Sequence, residues 1–76
     1  MKELLEAIAK ALVDKPDQIQ VRAIEREEVT VFELRVDSSE LGKVIGRQGR
    51  MAKAIRTIVS AAGMRLRKRV TVEILG

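Results

Sequence analysis

The residues best equipped for chemistry lie in one run, Lys43-Val44-Ile45-Gly46-Arg47-Gln48-Gly49-Arg50, with Lys53 shortly beyond it. Two glycines bracket two long polar side chains, an apolar pair leads in, and a helical pattern follows. Glycine has no Cβ, so it accepts positive φ and lets another backbone come close. A helix that starts just after such a turn presents unpaired amide N–H groups and the positive end of its dipole. With cations on both flanks, this arrangement suits an anion with a chain attached, namely a phosphodiester backbone.

Other chemistries are poorly supplied. The chain has no histidine and no cysteine. The commonest general base and metal ligand are therefore missing, and so are disulfides and thiolate metal sites. Glu27-Glu28 falls in a predicted turn, where solvated carboxylates are the norm. The sequence thus predicts no enzyme, no metal, no cofactor and no small-molecule substrate. Nucleotide-binding motifs fail on spacing. Gly42-Lys43-Val44 lacks the order of a P-loop, and residue 44 is valine where a dinucleotide fingerprint needs glycine. Gly42 and Gly46 have the spacing of a membrane-helix packing motif without its apolar surroundings.

Charge points the same way. The 76 residues carry a formal net charge of +4. Residues 1–40 hold six Lys/Arg against ten Asp/Glu, whereas residues 41–76 hold nine Lys/Arg and a single acid, Glu73. The second half should build an electropositive surface centred on the glycine turn. Phe32 is the only aromatic residue, and its alternation places it in the core, so base stacking on surface aromatics is not available. A membrane-spanning stretch and a signal-peptide h-region are both absent, which predicts a cytoplasmic protein without membrane insertion.

The elements that must position this turn can be read from periodicity. Leu4, Leu5, Ile8, Ala11 and Leu12 predict an amphipathic helix over about residues 2–14, which Pro16 would terminate. Ile19, Val21 and Ala23 alternate as in a half-buried strand. Arg26-Glu27-Glu28 makes a turn, and Thr30, Phe32, Leu34 and Val36 line one face of a second strand. Asp37 or Ser38 is a candidate N-cap, and Asp37-x-x-Glu40 has the spacing of a capping box. A short helix over about 39–45 should end at Gly46 in a left-handed position, and a longer one should run from about Arg50 to Ala62 and stop at Gly63. Residues 67–75 alternate again as a third strand, with Arg67 and Arg69 on one face and Lys68 on the other.

On the helix after the turn, Arg50, Lys53 and Arg56 would continue the positive surface along one stripe. Ala54, Ile58 and Ala61 lie at an edge of its apolar arc, where another subunit could pack. Arg65, Arg67, Lys68 and Arg69 read equally as the solvated, aggregation-resistant edge of a strand or as secondary phosphate contacts. Two helices between the second and third strands favour parallel pairing with a right-handed crossover. The predicted fold is a two-layer α/β sandwich of order α-β-β-α-α-β. It has a mixed three-stranded sheet, three helices on one face and one domain over residues 1–76.

The Val-Ile-Gly-Arg-Gln-Gly-Arg pattern inside a strand–helix–helix–strand unit resembles the K-homology (KH) domain, whose Gly-x-x-Gly loop clamps the backbone of about four nucleotides. The helix and strand that precede this unit resemble the prokaryotic, type II arrangement. A single domain of this length with this loop is similar to the small bacterial KhpA family of RNA-binding proteins. The resemblance implies that Gly46 and Gly49 approach phosphates and that Arg47 and Gln48 reach sugar–phosphate oxygens. Lys43, Arg50 and Lys53 would flank them, and Ile45 would line a shallow groove for bases with apolar residues of the adjoining helices and the second strand. Ala52 stands where the family pattern has a branched apolar residue, which would widen the groove. Also implied are an RNA-chaperone or post-transcriptional role, links to cell wall and cell shape, and a homodimer or a partner KH protein. The competing expectation is a protein-interaction module, in which the apolar helix makes the main contact and RNA is incidental.

Overall fold

A computed structural model describes all of residues 1–76. The chain forms α1 (Lys2–Leu12), β1 (Gln20–Glu25), β2 (Thr30–Arg35), α2 (Leu41–Ile45), α3 (Arg50–Arg65) and β3 (Val70–Leu75). Short 3-10 turns at Pro16–Gln18, Ser38–Glu40 and Arg47–Gly49 link them. The order is α-β-β-α-α-β, as the periodicity predicts.

β2 is the central strand. It pairs antiparallel with β1, Val21 opposite Leu34 and Ala23 opposite Phe32, and parallel with β3, Phe32 opposite Val72. The antiparallel neighbour needs only a tight turn, closed by the Arg26 N–H donating to the Val29 carbonyl at 2.9 Å. The parallel neighbour needs a crossover, and α2 and α3 supply it. The core lies between the helices and one sheet face. Leu5 and Ala9 of α1, Val44 of α2, and Ile55 and Val59 of α3 meet Val21, Phe32, Leu34, Val70 and Val72 there.

Several local expectations are corrected. The core-facing stripe of α1 is Leu5 and Ala9, buried, with Ile8 and Leu12 partly buried beside them, while Leu4 and Ala11 are exposed. Helical spacing from Leu5 passes through positions 8, 9 and 12 and misses both. Val31, on the sheet face away from the helices, is nevertheless buried, with Ile24 and Thr71 beside it in register.

Gly63 does not stop α3. It lies inside the helix because a Cβ there would come within 1.9 Å of the Val70 Cγ2, so it is where α3 and β3 meet most closely. The helix ends two residues later, at Arg65, in a Schellman arrangement. Lys68 N–H donates to the Gly63 carbonyl at 2.8 Å and Arg67 N–H to that of Met64 at 2.9 Å, with Arg67 itself left-handed at φ 57°. Residues 67–69 therefore belong to this turn, and the strand begins at Val70, not at 67. The outer edge of β3 is partly occupied by α3: Arg56 Nε donates to the Val72 carbonyl at 3.3 Å and Ser60 Oγ to that of Val70 at 3.5 Å.

Candidate nucleic-acid interface

The glycine turn is held from both ends. On the β2 side, Asp37 caps the Ser38–Glu40 turn, accepting from the Ser39 amide at 3.1 Å and from the Ser39 hydroxyl. These two bonds hold the Asp37 carboxyl below the usual carboxylate range, the hydroxyl first. The second half of the expected capping box is absent. Glu40 is 3% exposed and turns instead to α1, where its Oε2 accepts from the Asp14 amide at 2.7 Å. This carboxylate pins the entry to α2 against the end of α1, which brings Lys43 to Asp14 at 2.5 Å. The Lys43 pair lowers the Asp14 pKa, and the same hydrogen bond raises that of Lys43.

Gly46 ends α2, its N–H donating to the Gly42 carbonyl at 2.8 Å. Its backbone, φ 78° and ψ 173°, is not the expected left-handed conformation but a region open essentially to glycine alone. A Cβ there would lie 2.6 Å from the Met51 Cβ and 2.8 Å from its backbone N. Gln48 (φ 56°, ψ 25°) and Gly49 (φ 76°, ψ 10°) are the left-handed residues, and Gly49 N–H returns to the Gly46 carbonyl at 3.1 Å. The chain thus turns sharply into α3, whose N-terminus has no side-chain cap.

At this turn Arg47, Gln48 and Arg50 are exposed, whereas Ile45, Gly46 and Gly49 are partly buried. Arg50 Nη2 reaches the Gln48 side-chain oxygen at 3.4 Å, and no acid pairs with Arg47, Arg50 or Lys53. Lys53 lies along α3 and lines, with Arg56, Thr57 and Ser60, a shallow hollow of about 420 Å³. The structure therefore gathers residues 45–50 at one turn, continues them along α3 through Lys53, and draws Lys43 toward α1. Ala52 is 4% exposed and lies within the packing under α3. Phe32 is 6% exposed, in the core as its alternation predicts. Sequence reasoning gave Asp14 no partner and Glu40 only the capping-box role, because their true partners stand 29 and 26 positions away and leave no periodic trace.

Three helices on one face of a mixed sheet, with a Gly-x-x-Gly turn between the second and third, define a type II KH domain. The family model described as "KhpA/KhpB, KH domain" matches residues 2–74. A protein of Clostridium acetobutylicum named RNA-binding protein KhpA is 55% identical over 75 residues, covering 99% of this chain and all of that one. Its namesake in Aquifex aeolicus is also 55% identical, over 99% of this chain and 95% of its own. The chain belongs to the KhpA/KhpB KH-domain family. A crystal structure of a variant of Aquifex aeolicus Era bound to GDP and AlF4− superposes with a TM-score of 0.71 at 21% identity. That match covers 97% of this chain but 29% of Era, and it shows likeness of fold. No helix here is long and apolar enough to cross a membrane.

Proposed function

We propose that this chain binds single-stranded RNA without catalysis, holding its phosphodiester backbone at the Gly46-Arg47-Gln48-Gly49 turn. The carrying observation is the turn itself. Glycine-only geometry at Gly46 leaves the backbone bare, an uncapped helix start follows, and Arg47, Arg50 and Lys53 stand beside it with no acid paired to them. Phosphate oxygens supply the acceptors and the charge that these groups lack. Ile45 forms the apolar side of the site. With no exposed aromatic residue, little sequence is read, which suits an RNA chaperone or post-transcriptional regulator acting on many strands in the cytoplasm. The names of the curated relatives support the choice of RNA as ligand.

Placing Asp at both Arg47 and Gln48 tests the assignment. Aspartate tolerates the left-handed backbone at 48, so the fold should stand and the circular-dichroism spectrum should be unchanged. Binding of an oligouridylate should be lost. Undiminished binding would overturn the reading.

One observation favours a second contact. Ile58 is 48% exposed on α3, with Ala54 and Ala61 also exposed near it. Small neighbours around a branched apolar residue fit a second KH domain, either another copy or a related chain. Sedimentation with and without RNA separates the two readings: a tight dimer that binds no RNA at physiological salt would make protein interaction the primary role.

A further inference from the structure

The cations beyond the end of α3 point to a second contact. α3 has 16 residues, so a rise of about 1.5 Å per residue puts its two ends about 22 Å apart. Arg67 occupies the left-handed position of the closing turn, a backbone strain that glycine would avoid. The guanidinium does not offset that strain through the fold. Neither it nor the side chains of Arg65, Lys68 and Arg69 form a hydrogen bond or ion pair within the chain. Backbone strain at an exposed, unpaired cation directs attention to a function outside the fold.

The surroundings have the shape for one. Beside the turn lies a hollow of about 480 Å³, bounded by Ser60, Met64, Arg67, Lys68, Arg69 and Val70. It shares Ser60 and Met64 with the hollow that Lys53 and Arg56 line, so the two run on from each other along α3. Met64 is 75% exposed between them. Acids approach from the other side only: Glu25, Glu27 and Glu28 line, together with the same Arg67, Lys68 and Arg69, an adjoining hollow of about 310 Å³, and none forms an ion pair with these cations. The helix side of the turn is left to the cations.

We propose that this track is a second phosphodiester contact. A strand longer than the roughly four nucleotides a Gly-x-x-Gly loop clamps is then gripped at both ends of α3. This deepens the RNA-binding reading and rests on it. Arg67, Lys68 and Arg69 engage the distal phosphates, and Met64 with a neighbouring guanidinium plane offers a seat for an unstacked base.

The test compares oligouridylates of about four and about twelve nucleotides across a range of salt. The variant combines Arg67→Gly, Lys68→Ser and Arg69→Ser, and a second carries only Lys68→Ser and Arg69→Ser, leaving the backbone at 67 untouched. Both should bind the short strand as the parent does. The triple variant should bind the long strand about tenfold more weakly, with a log–log salt slope smaller by about 2, since each phosphate contact on a single strand contributes about 0.7. Long-strand binding equal to the parent's, or an equal loss for both lengths, would overturn the second contact while leaving the loop assignment standing. If the parent binds neither strand, the RNA reading itself fails and this inference with it.

Discussion

Gly46, Gly49, Gly63 and Arg67 show how differently one backbone requirement can be met. Gly46 combines positive φ with a contact that leaves no room for a Cβ, whereas a Cβ at Gly49 would enter open space. Gly46→Ala should therefore cost about 2 kcal/mol or more and Gly49→Ala about 1 kcal/mol, read from urea unfolding midpoints. Gly63→Ala drives a methyl into Val70 and should cost about 1–3 kcal/mol through overpacking. Arg67→Gly works in the opposite direction. Relief of the left-handed strain, less the added freedom of the unfolded chain, should raise stability by about 0.5–1 kcal/mol. The first two glycines were legible in the sequence because a paired Gly-x-x-Gly announces a turn. Gly63 was not, since a glycine that admits a neighbouring strand and one that ends a helix look alike along the chain.

Among the elements, the link between α1 and α2 carries the charge chemistry. Asp14 and Asp37 have folded-state pKa values held below those of the unfolded chain, so the unfolded state binds more protons in acid. Their stabilisation is present above about pH 4, the ordinary carboxylate range, and is lost as pH falls through the lowered folded values. Lys43, raised in the fold, acts at the opposite limit. Its contribution is present below about pH 10.4 and fades as pH rises through the higher folded value. The thermal midpoint should accordingly fall in acid, and an Asp14→Asn, Asp37→Asn double variant should fall less steeply.

Glu40 offers a sharper check. Its Oε2 serves the Asp14 amide while its buried Oε1 has no partner. Glu40→Ala, which strands that amide, should cost about 1–3 kcal/mol, whereas Glu40→Gln keeps an acceptor and should be tolerated. Strands were the most readable elements, because Phe32, Leu34, Val70 and Val72 alternate cleanly against one buried face. The α3–β3 turn was the least. Its three cations continue that alternation on paper, and only the helix-end hydrogen bonds remove them from the strand.

At the scale of the whole molecule, the charge split between the chain's halves becomes a surface property, since α2, α3 and the turns on either side of α3 all come from the basic half. If about three phosphates are held at the loop, log affinity for a short strand should fall against log salt with a slope near −2. Fluorescence anisotropy over a salt series measures it, and a flat response would rule out backbone-dominated binding. The topology was readable because two helices between parallel strands admit essentially one handed crossover. The hollows along α3 were not, because they arise where helix side chains meet a strand edge that no local pattern describes. That edge has a further consequence. Arg56 and Ser60 hold the Val72 and Val70 carbonyls, two of the acceptors that a strand from another molecule would need. Fibre growth by templating along β3 must first lift both side chains away. The helix that carries the loop's cations thus also keeps crowded copies of the protein from knitting together through their sheets.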